Sequence, residues 1–152
     1  MKLGAEWLAS APQKEQEAFL EELSEHALCA LPWLFEFWAL PHQLPPGGDW
    51  KTWVILGGRG AGKTRAGSEW VRAQVEGGRP EEPGRSRRVA LIGETFDQVR
   101  DVMVFGDSGI IACSPPDRVP DWHSGKRQLE LSLIHISEPT RLDLASRMPS
   151  SA

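Results

Sequence analysis

An α/β fold is predicted by three observations. The run Gly57-Gly58-Arg59-Gly60-Ala61-Gly62-Lys63-Thr64 fits the pattern G-x-x-x-x-G-K-[ST]. The preceding Trp53-Val54-Ile55-Leu56 is short, apolar and β-branched, as a buried parallel strand is, and Thr64 to Val75 carries Ala66, Trp70, Val71 and Val75 at helical spacing. A further apolar run, Arg88-Val89-Ala90-Leu91-Ile92-Gly93, reads as the next strand, which makes strand, helix, strand.

The elements around that unit follow in order. Pro12 to Leu28 predicts one acidic amphipathic helix with Phe19, Leu20, Leu23 and Ala27 on a single face. Leu31 to Leu40, with Trp33, Leu34, Phe35, Phe37 and Trp38, reads as a second, buried helix. Pro41, Pro45, Pro46, Gly47 and Gly48 form a stiff connector, so residues 1–48 make a helical N-terminal segment and 49–130 a partial nucleotide-binding domain. Gly77 to Gly84 reads as a loop, and Phe96 to Phe105 as a helix facing inward with Val99, Val102 and Met103. Beyond Gly106 only Gln128 to Leu133 resembles a strand, and Leu142 to Ala152 shows no periodicity.

The loop carries the chemistry. A chain that wraps a polyphosphate turns its backbone N–H groups inward, and a Cβ at the tight positions would block the dihedrals or the approach. The helix that follows presents its positive end to the same phosphates. Lys63 is placed to reach the β- and γ-phosphates, and the Thr64 hydroxyl to complete a Mg²⁺ shell of water and phosphate oxygens. Residues Gly57, Gly58, Gly60, Ala61, Gly62, Lys63 and Thr64 are therefore the candidate nucleoside triphosphate contacts, with Lys63 catalytic and Thr64 on the metal. A chance match, in a chain of this length, is on the order of one in a few hundred.

The bulk numbers narrow the rest. The formal charge of −4 argues against a surface that grips nucleic acid everywhere, while Arg79, Arg85, Arg87 and Arg88 gather locally, as a solvated loop or a DNA contact. Cys29 and Cys113 have no partner spacing, and His26, His42, His123 and His135 show no ligand pattern, so free thiols and ordinary imidazoles are expected. The start has no signal-like apolar core and no stretch is long enough to span a bilayer, which predicts a cytoplasmic protein with no membrane partner. A nucleoside triphosphatase also needs a carboxylate to orient Mg²⁺ and water, and Glu94, at the end of the second strand, is the superficial candidate. A small P-loop kinase shares the same loop and is the alternative enzyme, although no acceptor site is recognisable.

Residues 33–129 resemble the N-terminal ATPase portion of phage terminase large subunits, especially those of alphaproteobacterial prophages and gene transfer agents. The resemblance rests on Leu34-Phe35-Glu36-Phe37-Trp38, His42-Gln43-Leu44-Pro45-Pro46, Asp49-Trp50-Lys51-Thr52-Trp53, the loop Gly57 to Thr64, Arg65-Ala66-Gly67-Ser68-Glu69-Trp70, and Gly93-Glu94-Thr95-Phe96-Asp97-Gln98-Val99-Arg100-Asp101-Val102-Met103. It implies an incomplete P-loop NTPase domain of the RecA-like (ASCE) parallel-sheet type. The activity implied is an ATP-driven motor that threads double-stranded DNA into a capsid, working with a portal protein and a small terminase subunit as a homo-oligomeric ring. It further implies that Gln43 reads the adenine edge, against a plain role in a proline turn. Arg59 would sense the γ-phosphate, against pairing with an acidic surface. Past Glu130 the pattern departs: the expected strand closing in Asp-Glu and the nuclease are not found, and Leu131 to Arg141 resembles a translated sequencing adapter, so 131–152 reads as a non-native tail. A poorly stable unit without ATP turnover is the expectation for the 152 residues as written.

Overall fold

A computed structural model describes residues 4–76, 84–131 and 140–146. The predicted loop 77–83, Arg79, His135 and the segments 132–139 and 147–152 lie outside the described residues. The molecule is mixed α/β and divides into two units, Met1–Leu56 and Gly57–Ala152.

In the first unit the single helix expected over Pro12 to Leu28 is broken. The helices are α1 (Ala5–Ser10), α2 (Gln13–Glu21), α3 (Glu25–Ala30) and α4 (Phe35–Trp38). The break has a local cause: Ser24 is extended and its hydroxyl accepts a hydrogen bond from the Ala27 N–H at 3.2 Å, starting a new helix in place of continuing the old one. Leu20 consequently faces solvent, while Phe19, Leu23 and Ala27 are half-buried. The second, buried helix expected over Leu31 to Leu40 shrinks to a 3₁₀ turn, Leu31–Trp33, followed by α4. Within it Phe37 is buried, whereas Leu34, Trp38 and Leu40 are exposed. Phe37 stacks on Phe19 with centroids 6.1 Å apart, and Phe19 meets Trp7 edge-on at 6.3 Å.

Trp53 to Leu56 takes no regular secondary structure and among the described residues pairs with no strand, contrary to the buried parallel strand expected there. Val54 is 66% and Leu56 87% exposed, because an apolar segment without ladder neighbours has nothing to fold its side chains against.

The second unit begins with the phosphate-loop sequence and α5 (Lys63–Val75). Ala66, Val71 and Val75 are buried as the periodicity requires, with Trp70 half-buried. β1 occupies Arg88–Gly93, the range the pattern marks. A short helix α6 (Phe96–Gln98), capped by the Thr95 hydroxyl accepting from Gln98 N–H at 3.2 Å, continues as a π-helical segment, Val99–Val104. That wider register changes the buried face. Phe105 N–H donates to the Arg100 carbonyl five residues back, so Val99 and Val104 point inward together and Val102 turns out to solvent. α7 (Ile110–Cys113) follows.

β2 (Asp121–His123) and β3 (Gln128–Leu131) form an antiparallel hairpin over the turn Ser124 to Arg127, where Arg127 takes a φ of 52°. The four-stranded sheet has the order β1-β4-β3-β2, with β4 (Thr140–Ser146) parallel to β1 and antiparallel to β3. Two expectations change here. The sheet is mixed where a parallel one was predicted, since a four-residue turn can join only antiparallel neighbours. A strand also stands at Thr140–Ser146, in the tail read as aperiodic. β1 alternates, Leu91 buried and Ala90 and Ile92 exposed, as a strand covered on one face does. The core joins Val71, Val75, Leu91, Val99, Val104, Ile110, Leu129 and Leu131.

Candidate phosphate-loop site

The loop turns tightly onto the start of α5. Gly60 (φ 81°) and Gly62 (φ 74°, ψ 20°) both occupy the left-handed region, where a side chain would be strained. Gly62 is also the N-cap of α5, accepting from Ala66 N–H at 2.9 Å. Lys63 folds back over its own loop, donating to the carbonyls of Gly57 at 2.9 Å and Gly58 at 2.6 Å.

A cavity of about 340 Å³ opens beside this turn. One wall is Gly60, Ala61, Gly62, Lys63, Thr64 and Arg65. The other is Asp101 and Val102 from the π-helical segment with Gly106, Asp107 and Ser108 from the turn after it. Its volume lies near the lower end for small-molecule sites.

The predicted residues divide accordingly. Gly60, Ala61, Gly62, Lys63 and Thr64 line the cavity; Gly57 and Gly58 contribute the carbonyls that hold Lys63. Arg59 is exposed and outside the lining, and Arg65 is the guanidinium that reaches it. Gln43 belongs to the first unit, in a 3₁₀ turn Pro41–Gln43, where its Oε1 accepts from the Leu40 N–H at 2.9 Å, the contact of a polar residue closing a proline turn. Glu94 is exposed and lies outside the lining. The carboxylates that do line the cavity, Asp101 and Asp107, escape a reading based on strand tips, because a helix and a turn some 40 residues beyond Lys63 deliver them. The spacing Gly106-Asp107-Ser108-Gly109, a turn signature directly after a helical pattern, is the signal that could have found one of them.

Asp101 is tied down. Arg100 donates to it through Nε at 2.7 Å and through Nη2 at 3.2 Å, and these hydrogen bonds hold the Asp101 carboxyl below the usual carboxylate range.

Behind the cavity wall runs a buried ion-pair chain on α5. Arg65 Nη2 meets Glu69 at 2.6 Å, and Arg72 Nη1 meets Glu69 at 3.0 Å and the Cys113 carbonyl at 2.5 Å. Arg72 also grips Glu76 through Nε and Nη2, both at 3.0 Å. The Ser108 carbonyl accepts from the Ser68 hydroxyl at 2.9 Å and from the Cys113 thiol at 3.6 Å, which pins the Asp107-Ser108 turn to α5. Burial pushes that thiol up to about 11.

Thr64 and Asp107 supply hard oxygen donors in one cavity, the donor type Mg²⁺ takes, while both oxygens of Asp101 are engaged by Arg100. Among the described residues no group of three or more His, Cys, Asp or Glu side chains is gathered for a metal, and no helix is long and apolar enough to cross a membrane. No protein-family model, curated protein or solved structure matches the chain.

Proposed function

We propose that this chain is the nucleotide-binding part of a P-loop ATPase of the DNA-packaging kind, taking ATP with Mg²⁺. Gly57 to Thr64, with Gly60 and Gly62 left-handed and Lys63 and Thr64 opening α5 onto a cavity, is the observation that carries the reading. The resemblance of residues 33–129 to terminase large subunits supplies the narrower part: double-stranded DNA as the object moved, a portal and a small subunit as partners, a ring as the working assembly, and a host cytoplasm as the place. In this scheme Lys63 leaves the Gly57 and Gly58 carbonyls for the β- and γ-phosphates, and Thr64 takes the cation. Backbone N–H groups at the start of α5 meet the remaining phosphate charge.

A nucleotide-binding module without turnover is the second reading. One observation favours it: of the two carboxylates in the cavity, Asp101 is already engaged by Arg100, and neither stands at the end of a strand as a water-orienting group. Calorimetric titration of the chain with ATP and Mg²⁺, beside its Lys63→Ala variant, tests the binding they share. A loss of at least about tenfold in affinity is expected in the variant, and equal binding by the two would overturn both readings. An ATPase assay with DNA present separates them, since Lys63-dependent turnover of about one per second, ordinary for enzymes, belongs to the motor alone.

A further inference from the structure

The cavity is divided by charge. Lys63 and Arg65 stand on the loop wall, Asp101 and Asp107 on the other. A bare polyphosphate would satisfy the first wall and be repelled by the second, whereas a polyphosphate carrying a divalent cation satisfies both. The carboxylates are not equivalent. Asp101 is committed to Arg100, while Asp107 is exposed and, among the described residues, has no ion-pair partner.

Its backbone, in contrast, is fixed. Gly109 N–H donates to the Gly106 carbonyl at 2.7 Å, closing a turn with Asp107 and Ser108 at its centre. The Ser108 carbonyl is held by Ser68 and Cys113, and Ser68 lies on α5 itself, little more than a helical turn past Thr64. The element that carries Thr64 therefore also anchors the turn that carries Asp107, which holds the backbones of the two residues on one support. A free carboxylate on a held turn, across a cavity from a phosphate loop, is placed to meet a hydrated cation.

The geometry points to Asp107 as the cation-side carboxylate of this site, taking Mg²⁺ directly or through its water while Thr64 holds the opposite side. Asp107 thereby fills the role for which the sequence offers only Glu94. The inference rests on the nucleotide reading above.

The test is ATP binding by the full chain, measured calorimetrically with Mg²⁺ and again with a chelator, for wild type and the variants Asp107→Asn, Asp107→Glu and Asp101→Asn. In the wild type Mg²⁺ is expected to tighten ATP binding at least about tenfold. Asp107→Asn is expected to cut that enhancement to within about twofold, with metal-free ATP binding unchanged or tighter because one negative charge has gone. Asp107→Glu should recover part of the enhancement and Asp101→Asn should keep it. Full enhancement in Asp107→Asn, with ATP binding still dependent on Lys63, overturns this assignment alone. Absence of ATP binding by the wild type, with and without Mg²⁺, overturns the nucleotide reading and the assignment with it.

Discussion

The first unit is the more apolar in sequence, yet the second buries its apolar side chains far more completely. In the second, Val75, Val99, Val104, Ile110, Cys113 and Leu129 are fully enclosed; in the first, among the described residues, Phe37 is the one buried hydrophobic side chain, with Leu20, Leu28, Leu34, Trp38 and Leu40 exposed. Helix length explains much of the difference. α5 runs 13 residues and presents a continuous stripe to a sheet, whereas α1, α3 and α4 have 6, 6 and 4 residues, too short to carry a stripe or to stand without tertiary support. Hydrophobic content alone therefore does not make a core; a regular element long enough to align it does.

The sharpest way to break this comparison is Arg72→Leu. Arg72 is buried, joins Glu69 and Glu76 and holds the Cys113 carbonyl, so its removal takes one of two cations from the buried Glu69, the bidentate partner from Glu76 and the donor from the Cys113 carbonyl. Losing one partner of such a pair costs about 3–5 kcal/mol, a large share of the roughly 5–15 kcal/mol available to a domain. Hydrogen exchange should show amide protection collapsing across α5 and β1 while α2 is unchanged. Equal loss in α2 would mean that the two units unfold as one body.

How much of this was legible follows the same division. α5 and β1 could be read because each keeps one period from end to end: Ala66, Val71 and Val75 at helical spacing, Val89 and Leu91 alternating. The tight turn at Gly57 to Thr64 was legible because its glycines answer a local backbone demand, seen in the φ values of Gly60 and Gly62. Val104 was missed because a π register moves the inward position from i+4 to i+5, and nothing in Val99 to Val104 announces that change. The break at Ser24 was readable in principle, since a serine followed by a glutamate is an N-cap signal that the longer apolar period concealed. Asp101 and Asp107 were illegible as site residues because only tertiary contacts, Ser68 to Ser108 above all, bring them opposite Lys63.

The cysteines sharpen the comparison less violently. Cys29, in the first unit, is exposed and Cys113, in the second, is enclosed. Burial raises the folded Cys113 thiol from 9.0 to about 11, so below pH 9 it is protonated in folded and unfolded chains alike and its contribution to stability is complete. As pH rises from about 9 to about 11 the unfolded chain releases its proton first, and stability falls. Denaturant melts of the second unit should show that alkaline decline in the wild type and in Cys29→Ala, and a shallower one in Cys113→Ala. Thiol labelling at neutral pH should modify Cys29 at once and Cys113 only as the unit opens.

The smallest effect is expected where the sequence promised a large one. Val54 and Leu56 have the composition of a central strand, and in a paired, covered strand their replacement by serine would remove buried apolar surface and cost kilocalories. Here the segment has no ladder among the described residues, and both side chains already stand in water. The double variant Val54→Ser with Leu56→Ser is accordingly expected to change unfolding stability by no more than about 0.5 kcal/mol, the usual range for exposed sites. Urea unfolding followed by tryptophan fluorescence measures it, with Trp53 reporting beside the changed positions and Trp70 and Trp122 in the second unit. A loss of about 2 kcal/mol or more would place the change among core truncations. It would show that these side chains are covered in solution, and that the first unit owns more of the core than its exposed leucines indicate.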